Sequence, residues 1–194
     1  MGARPVVRLS PTVALVRSAV TFEHLEGFQV SSRTPEQHRK ASATLVQWAA
    51  APHPDDEETP TDLLSAAAWH LEEAGDIEAA LEMHRRAIAA EGTTTPDARC
   101  LLHAALLTAG RLDEARTVAE ELRRSRPSIS DLAAMAENFE IAGDLTQAHR
   151  WVAMGVARLD LADDETMDHE VEMLLATRRR IRSALGYPPD ELYA

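Results

Sequence analysis

The chain has 194 residues, 45% hydrophobic and only 4% aromatic, with 20 Lys and Arg against 32 Asp and Glu for a formal charge of -12. That length suits one domain with short extensions, while the negative field repels nucleic-acid phosphates and anionic lipid and would steer a basic partner inward. The single cysteine, Cys100, excludes a disulfide framework or a four-cysteine zinc site within one chain and fits a reducing cytoplasm, and no run approaches the roughly 18 apolar residues of a membrane span.

Residues 1–9 are ambiguous, and a short strand stays open there. Ser10-Pro11 is expected to open a helix to about Glu26, ended by Gly27. The apolar stretch from Val13 to Val20 is broken by Arg17 and followed by no small-residue cleavage site, so it does not read as a signal peptide. Thr34-Pro35-Glu36-Gln37 is a capping box with proline at the first helical position. It predicts a helix to about Ala50, with Leu45, Val46 and Trp48 apolar. Residues 51–60, APHPDDEETP, read as a polar linker broken by proline.

The middle of the chain repeats itself. Residues 71–80 are LEEAGDIEAA, 106–115 are LLTAGRLDEA and 139–148 are FEIAGDLTQA. Gly75, Gly110 and Gly143, 35 and 33 residues apart, can take positive φ and end a helix. Ile77, Leu112 and Leu145 then begin the apolar stripe of a second helix. Ala80, Ala115 and Ala148 are small where two backbones must approach. Starts are marked by Thr59-Pro60-Thr61-Asp62, Thr95-Pro96-Asp97 and Ser130-Asp131. The expected helices are about 61–74 and 77–91, 96–109 and 112–125, and 130–142 and 145–159.

Residues 164–185 read as one long helix with Val171, Leu174, Leu175, Ile181 and Leu185 on one face. Acidic Asp163, Asp164, Glu165 and Asp168 lie at its start and Arg178, Arg179, Arg180 and Arg182 near its end, the order that complements the helix dipole. Gly186 and Pro188-Pro189 terminate it. A last helix of this kind caps the apolar end of a solenoid. The expected organisation is an N-terminal helical extension and linker over 1–58, repeats over 59–163, and a capping helix and tail over 164–194.

Over about 61–160 the chain resembles tetratricopeptide repeats, whose pattern is W-x2-L-G-x2-Y, then A-x3-F, then P, with a period near 34 residues. The first-helix positions carry Leu64, Ala68 and Leu71 in the first repeat and Leu132, Ala136 and Phe139 in the third. Arg99 and His103 depart from the pattern in the second, where only Leu106 matches. The second-helix aromatic is replaced by His84, Ala119 and Val152, and the closing proline occurs only as Pro127. From about residue 61 to the ending RRRIRSALGYPPDELYA the chain is also similar to actinobacterial repeat proteins related to SEC-C-motif proteins. The SEC-C cysteines are absent, so nothing about zinc or secretion carries over.

The resemblance implies an all-α superhelix, a tetratricopeptide-like solenoid of about three helix-turn-helix repeats with helical N- and C-terminal caps. It also implies a concave groove, lined by first helices, that receives a partner peptide or helix. The groove face would carry Ala66, Trp69, Glu72 and Glu73, then Cys100, Leu101, Ala104 and Leu107, then Ala134, Glu137, Glu140 and Ile141. An apolar floor would give affinity and a carboxylate rim would select positive charge. The rival arrangement has the chain's own helices 11–26 or 35–50 packed into that groove. Family members that clamp a C-terminal carboxylate do so with Lys, Arg and Asn, none of which occurs in this set.

No catalytic constellation is legible. The eight histidines, His24, His38, His53, His70, His84, His103, His149 and His169, show no HExxH and no metal-site spacing on one helix. Cys100 reads as a small buried residue, Asp55-Asp56-Glu57-Glu58 as a solvated linker, and Arg178–Arg182 as a helix-end feature and not a nucleic-acid patch. The expectation is a cytoplasmic, non-catalytic adaptor or scaffold without cofactor or metal, binding a basic or amphipathic protein or peptide but neither nucleic acid nor membrane. A homodimer, or a self-associating module with its groove internally filled, is the alternative, as is a regulatory protein with an unseen ligand site.

Overall fold

The computed structural model describes residues 17–159 and 169–188. These form α1 (Phe22–Ser31), α2 (Pro35–Ala50), α3 (Pro60–Glu73), α4 (Ile77–Ala89), α5 (Ala98–Thr108), α6 (Leu112–Arg124), α7 (Ile129–Ile141), α8 (Leu145–Val156) and α9 (His169–Ala184), with no strand among the described residues. The fold is an all-α stack of helix pairs: α3 with α4, α5 with α6, α7 with α8. The N-terminal α2 packs along α3, and α9 lies against both α7 and α8.

The repeated motif owes its shape to three equivalent turns. Gly75, Gly110 and Gly143 all have positive φ, 78°, 71° and 80°. In each, the amide after the glycine donates back to the first motif residue: Asp76 to the Leu71 carbonyl, Arg111 to Leu106 and Asp144 to Phe139, all at 2.9 Å. This six-to-one bond satisfies a carbonyl that the helix end would leave open. The small residues then sit where the sequence requires them: Ala80, Ala115 and Ala148 are essentially inaccessible.

Helix starts follow capping chemistry with two shifts from expectation. Thr34 and Thr59 cap α2 and α3, each with proline in the first turn. The third repeat opens at Ser128 and not at Ser130, because Ser128 and Asp131 cap reciprocally, with Asp131 N–H donating to Ser128 Oγ at 3.1 Å and Ser128 N–H to Asp131 Oδ2 at 2.7 Å. The second opens at Asp97, not at Thr95, since the Asp97 carboxylate accepts from Arg99 N–H at 2.9 Å.

The N-terminal helix also differs. It begins at Phe22 after Thr21 and continues through Gly27 to Ser31. A glycine inside a helix costs about 1 kcal/mol relative to alanine, too little to stop a helix held by burial of Leu25 and by Phe28, whose ring lies 5.4 Å from that of Trp48. The expected start near Pro11, the strand within 1–9 and the first turn of the 164–185 helix lie outside the described residues.

Apolar clusters run along the stack. Leu25, Leu45, Leu63 and Ala67 join α1, α2 and α3. Leu81, Leu102, Leu106 and Ala115 join α4, α5 and α6. Leu122, Leu132, Met135, Trp151, Leu174 and Ile181 join α6 to α9. α9 is seated closely because Gly155 leaves room for Leu174: a Cβ there would fall 2.7 Å from a Leu174 methyl.

Candidate functional site

The first helices of the three repeats, α3, α5 and α7, carry the residues expected to line a groove, and the fold treats that face in three ways. At the α3 end, α2 lies alongside. Trp69 is 36% exposed and meets the His38 ring of α2 edge-on at 5.7 Å. Ala66 is half-buried against the N-terminal cluster. Glu72 turns to α4 and pairs with His84 Nε2 at 2.6 Å, while Glu73 is exposed. The rival arrangement had helix 11–26 or 35–50 packed into the groove; α2 lies along α3 at this end, and residues 11–16 lie outside the described residues.

At the α7 end, α9 supplies a counter-charge. Arg180 lies 3.1 Å from Glu137 and 2.9 Å from Glu140. These carboxylates, read as a rim for a basic partner, share one internal counter-charge, Arg180. The same contact explains the arginine run: Arg180 fastens α9 to α7, and Arg182 donates to the Pro188 carbonyl at 2.9 Å with the Tyr187 ring 5.5 Å away.

Between the ends the face stays open. Ala104 and Leu107 of α5, with Asn138 and Ile141 of α7, line a shallow recess of about 290 Å³. Ile141 is 81% exposed. Leu101 is half-buried on α5. Cys100 and Ala134 do not belong to the open surface: Cys100 is buried with Sγ 3.8 Å from the Asp131 carbonyl, its thiol pKa pushed up by burial, and Ala134 packs against the C-terminal cluster. The reason is helical phase, since one residue's rotation on α5 or α7 moves a side chain from the face to the core.

Two arrangements were not legible from spacing. His38 and His70, 32 positions apart, bring their Nδ1 atoms to 2.9 Å in a buried contact between α2 and α3. One Nδ1 must donate and the other accept, so the contact cannot form with both rings protonated. Burial, and secondarily the neighbouring His38, lowers the His70 pKa to about 4. His103, buried beside Asn138, is likewise lowered to about 4 by burial. The second arrangement corrects the linker. Asp56 is not solvated: it is ion-paired with Arg17, whose Nη1 donates to Oδ1 at 2.7 Å, and accepts the backbone N–H groups of Val20 and His53 at 2.8 Å each. Those donors hold its carboxyl well below the usual range.

Among the described residues no group of three or more His, Cys, Asp or Glu side chains gathers as a metal site, and no helix is long and apolar enough to cross a membrane. Comparison with protein-family models, with curated proteins and with solved structures finds no match to this chain.

Proposed function

We propose that the chain is a non-catalytic interaction module of the tetratricopeptide kind that receives an amphipathic segment of a partner protein on the faces of α5 and α7. The observation that carries this reading is the open recess around Ala104, Leu107 and Ile141, with Ile141 81% exposed at its edge. A contiguous exposed apolar patch rimmed by polar residues marks a contact site. Since Glu72, Glu137 and Glu140 have partners within the chain, the recess selects on apolar shape more than on positive charge. Trp69, 36% exposed on α3, adds a large side chain of the type enriched among binding hot spots.

A photo-crosslinking side chain at Ile141, and in a separate variant at exposed Glu82 of α4, tests this in the native cell. A protein captured from position 141 alone, and lost when Leu107→Glu is added, supports the reading. The same capture from both positions, or none from 141, overturns it.

A further inference from the structure

α6 and α8, the second helices of the second and third repeats, stand apart over a recess of about 820 Å³. This lies within the range of about 300–1,000 Å³ typical of ligand sites. Its floor is apolar, made by Ala119 of α6, Phe139 of α7, and Trp151 and Met154 of α8. Ala119 lies on the recess floor. The equivalent place on α4 is filled by His84, buried against its own repeat; at Ala119 the side chain stops at Cβ. The charges conform. Arg85 and Arg111 link α4 with α6 through Glu114 and Glu78, at 3.0 and 2.9 Å. Among the described residues no ion pair joins α6 to α8: Arg116 and Arg123 turn to Asp113 and Glu120 of their own helix.

The rim of this recess carries three arginines against two carboxylates, in a chain whose formal charge is -12. Arg116 and Arg123 stand on the α6 side and Arg150 on the α8 side. Arg150 is exposed and has no ion-pair partner among the described residues. Of the two carboxylates present, Glu120 is taken by Arg123, and Asp144 accepts the Gln147 backbone N–H as the α8 cap at 3.0 Å.

We propose that the α6–α8 recess is a second binding site, for an acidic amphipathic helix of a partner protein. Apolar side chains of that helix rest on Ala119, Phe139 and Trp151; its carboxylates meet Arg150 and displace Asp113 and Glu120 from Arg116 and Arg123, whose exposed pairs within α6 contribute little. A trough between two helices with apolar floor and charged edges is the setting for helix-in-groove recognition. The site is separate from the α5–α7 recess and takes the opposite charge preference from the one the groove carboxylates suggested.

The test uses the full chain and two fluorescein-labelled helical peptides of about twelve residues. Both have leucines at i, i+3, i+4 and i+7; one has glutamate at the remaining positions and the other lysine. The acidic peptide should bind saturably and shift the indole N–H resonance of Trp151 while leaving that of Trp69 in place. Ala119→Trp, which fills the recess, and Arg150→Glu, on the surface, should each weaken it tenfold or more. Arg150→Glu keeps the test decisive if the filled variant fails to fold. Leu107→Glu with Ile141→Asp should leave this binding unchanged, which separates it from the α5–α7 reading. Equal binding of the lysine peptide, no saturable binding of the acidic one, a response at Trp69 alone, or indifference to Arg150→Glu would each overturn the proposal.

Discussion

The junction between the first and second repeats and the junction between the second and third are made from the same unit, yet they close differently. At the first, α4 packs on α5, Leu81 joins Leu102, Leu106 and Ala115 in one buried cluster, and ion pairs tie α4 to α6. At the second, the first helices carry the contact. The Asp97 N–H donates to Asp131 Oδ1 at 2.7 Å and Asn138 Nδ2 to the Cys100 carbonyl at 2.9 Å, while α6 meets α7 little and a recess opens toward α8. The turn motif determines how each pair is formed. Side chains outside the motif differ between the junctions: Leu81 joins the cluster at the first, and Ala119 lines the recess at the second.

The largest effect expected from this contrast is in the closed junction. Leu81→Ala should cost about 2–5 kcal/mol, because a fully buried side chain leaves a cavity that packed neighbours cannot collapse into. Met154→Ala, at the open recess, should cost clearly less. Equal shifts of the denaturant midpoint for the two would show that the recess is closed in solution.

Overpacking should discriminate next. Ala115→Leu in the closed cluster should destabilise by about 1–3 kcal/mol. Ala119→Leu has space above it and should be neutral or stabilising. A matching loss at both positions in thermal melts would break the comparison.

Acid should act through buried histidines at the open junction and at the α2–α3 contact. The pKa values of His70 and His103 are about 4 in the folded chain, below the ordinary value of about 6.5. The unfolded chain therefore binds more protons between those limits. Their contribution is fully present above about pH 6.5 and declines as pH falls toward 4, on the order of 1 kcal/mol for each histidine one unit below the ordinary value. His103→Gln should remove its share of this slope. A stability profile flat from pH 7 to 4 would contradict the burial of both rings.

The smallest effect should come from the ion pairs that span α4 and α6. Glu114→Gln removes the partner of Arg85 and Arg111, but these groups are solvent-screened and such pairs contribute little. The midpoint should hardly move, and any shift should vanish at 1 M salt, where the Debye length is about 3 Å. A large salt-independent loss would mean that charge, and not the Leu81 cluster, closes the first junction.

Much of the fold was legible because its determinants are local. Leu-x-x-Ala-Gly encodes the six-to-one turn, and Ala80, Ala115 and Ala148 encode the close approach, within ten residues each time. The capping boxes at Thr34 and Thr59 are four-residue signals. Ser128 was missed because Ser130-Asp131 offers the same residue types two positions later, and only the reciprocal bond to Asp131 distinguishes them. The groove set was legible as a helix face, but its fate was not. No local pattern links Arg180 to Glu137 and Glu140, or His38 to His70, since those pairs are brought together by α9 and α2 docking on distant helices.

The sequence by itself determined that the chain is helical, where its repeated turns fall and which alanines are buried, since hydrogen bonding, φ preference and side-chain size act over a few residues. The tertiary structure alone decided that α2 and α9 pack beside the two ends of the expected groove, that Asp56 is held by Arg17, and that a recess opens between α6 and α8. Those outcomes depend on how separately encoded surfaces fit one another, and the fit of two surfaces is a property of their packing that neither carries alone.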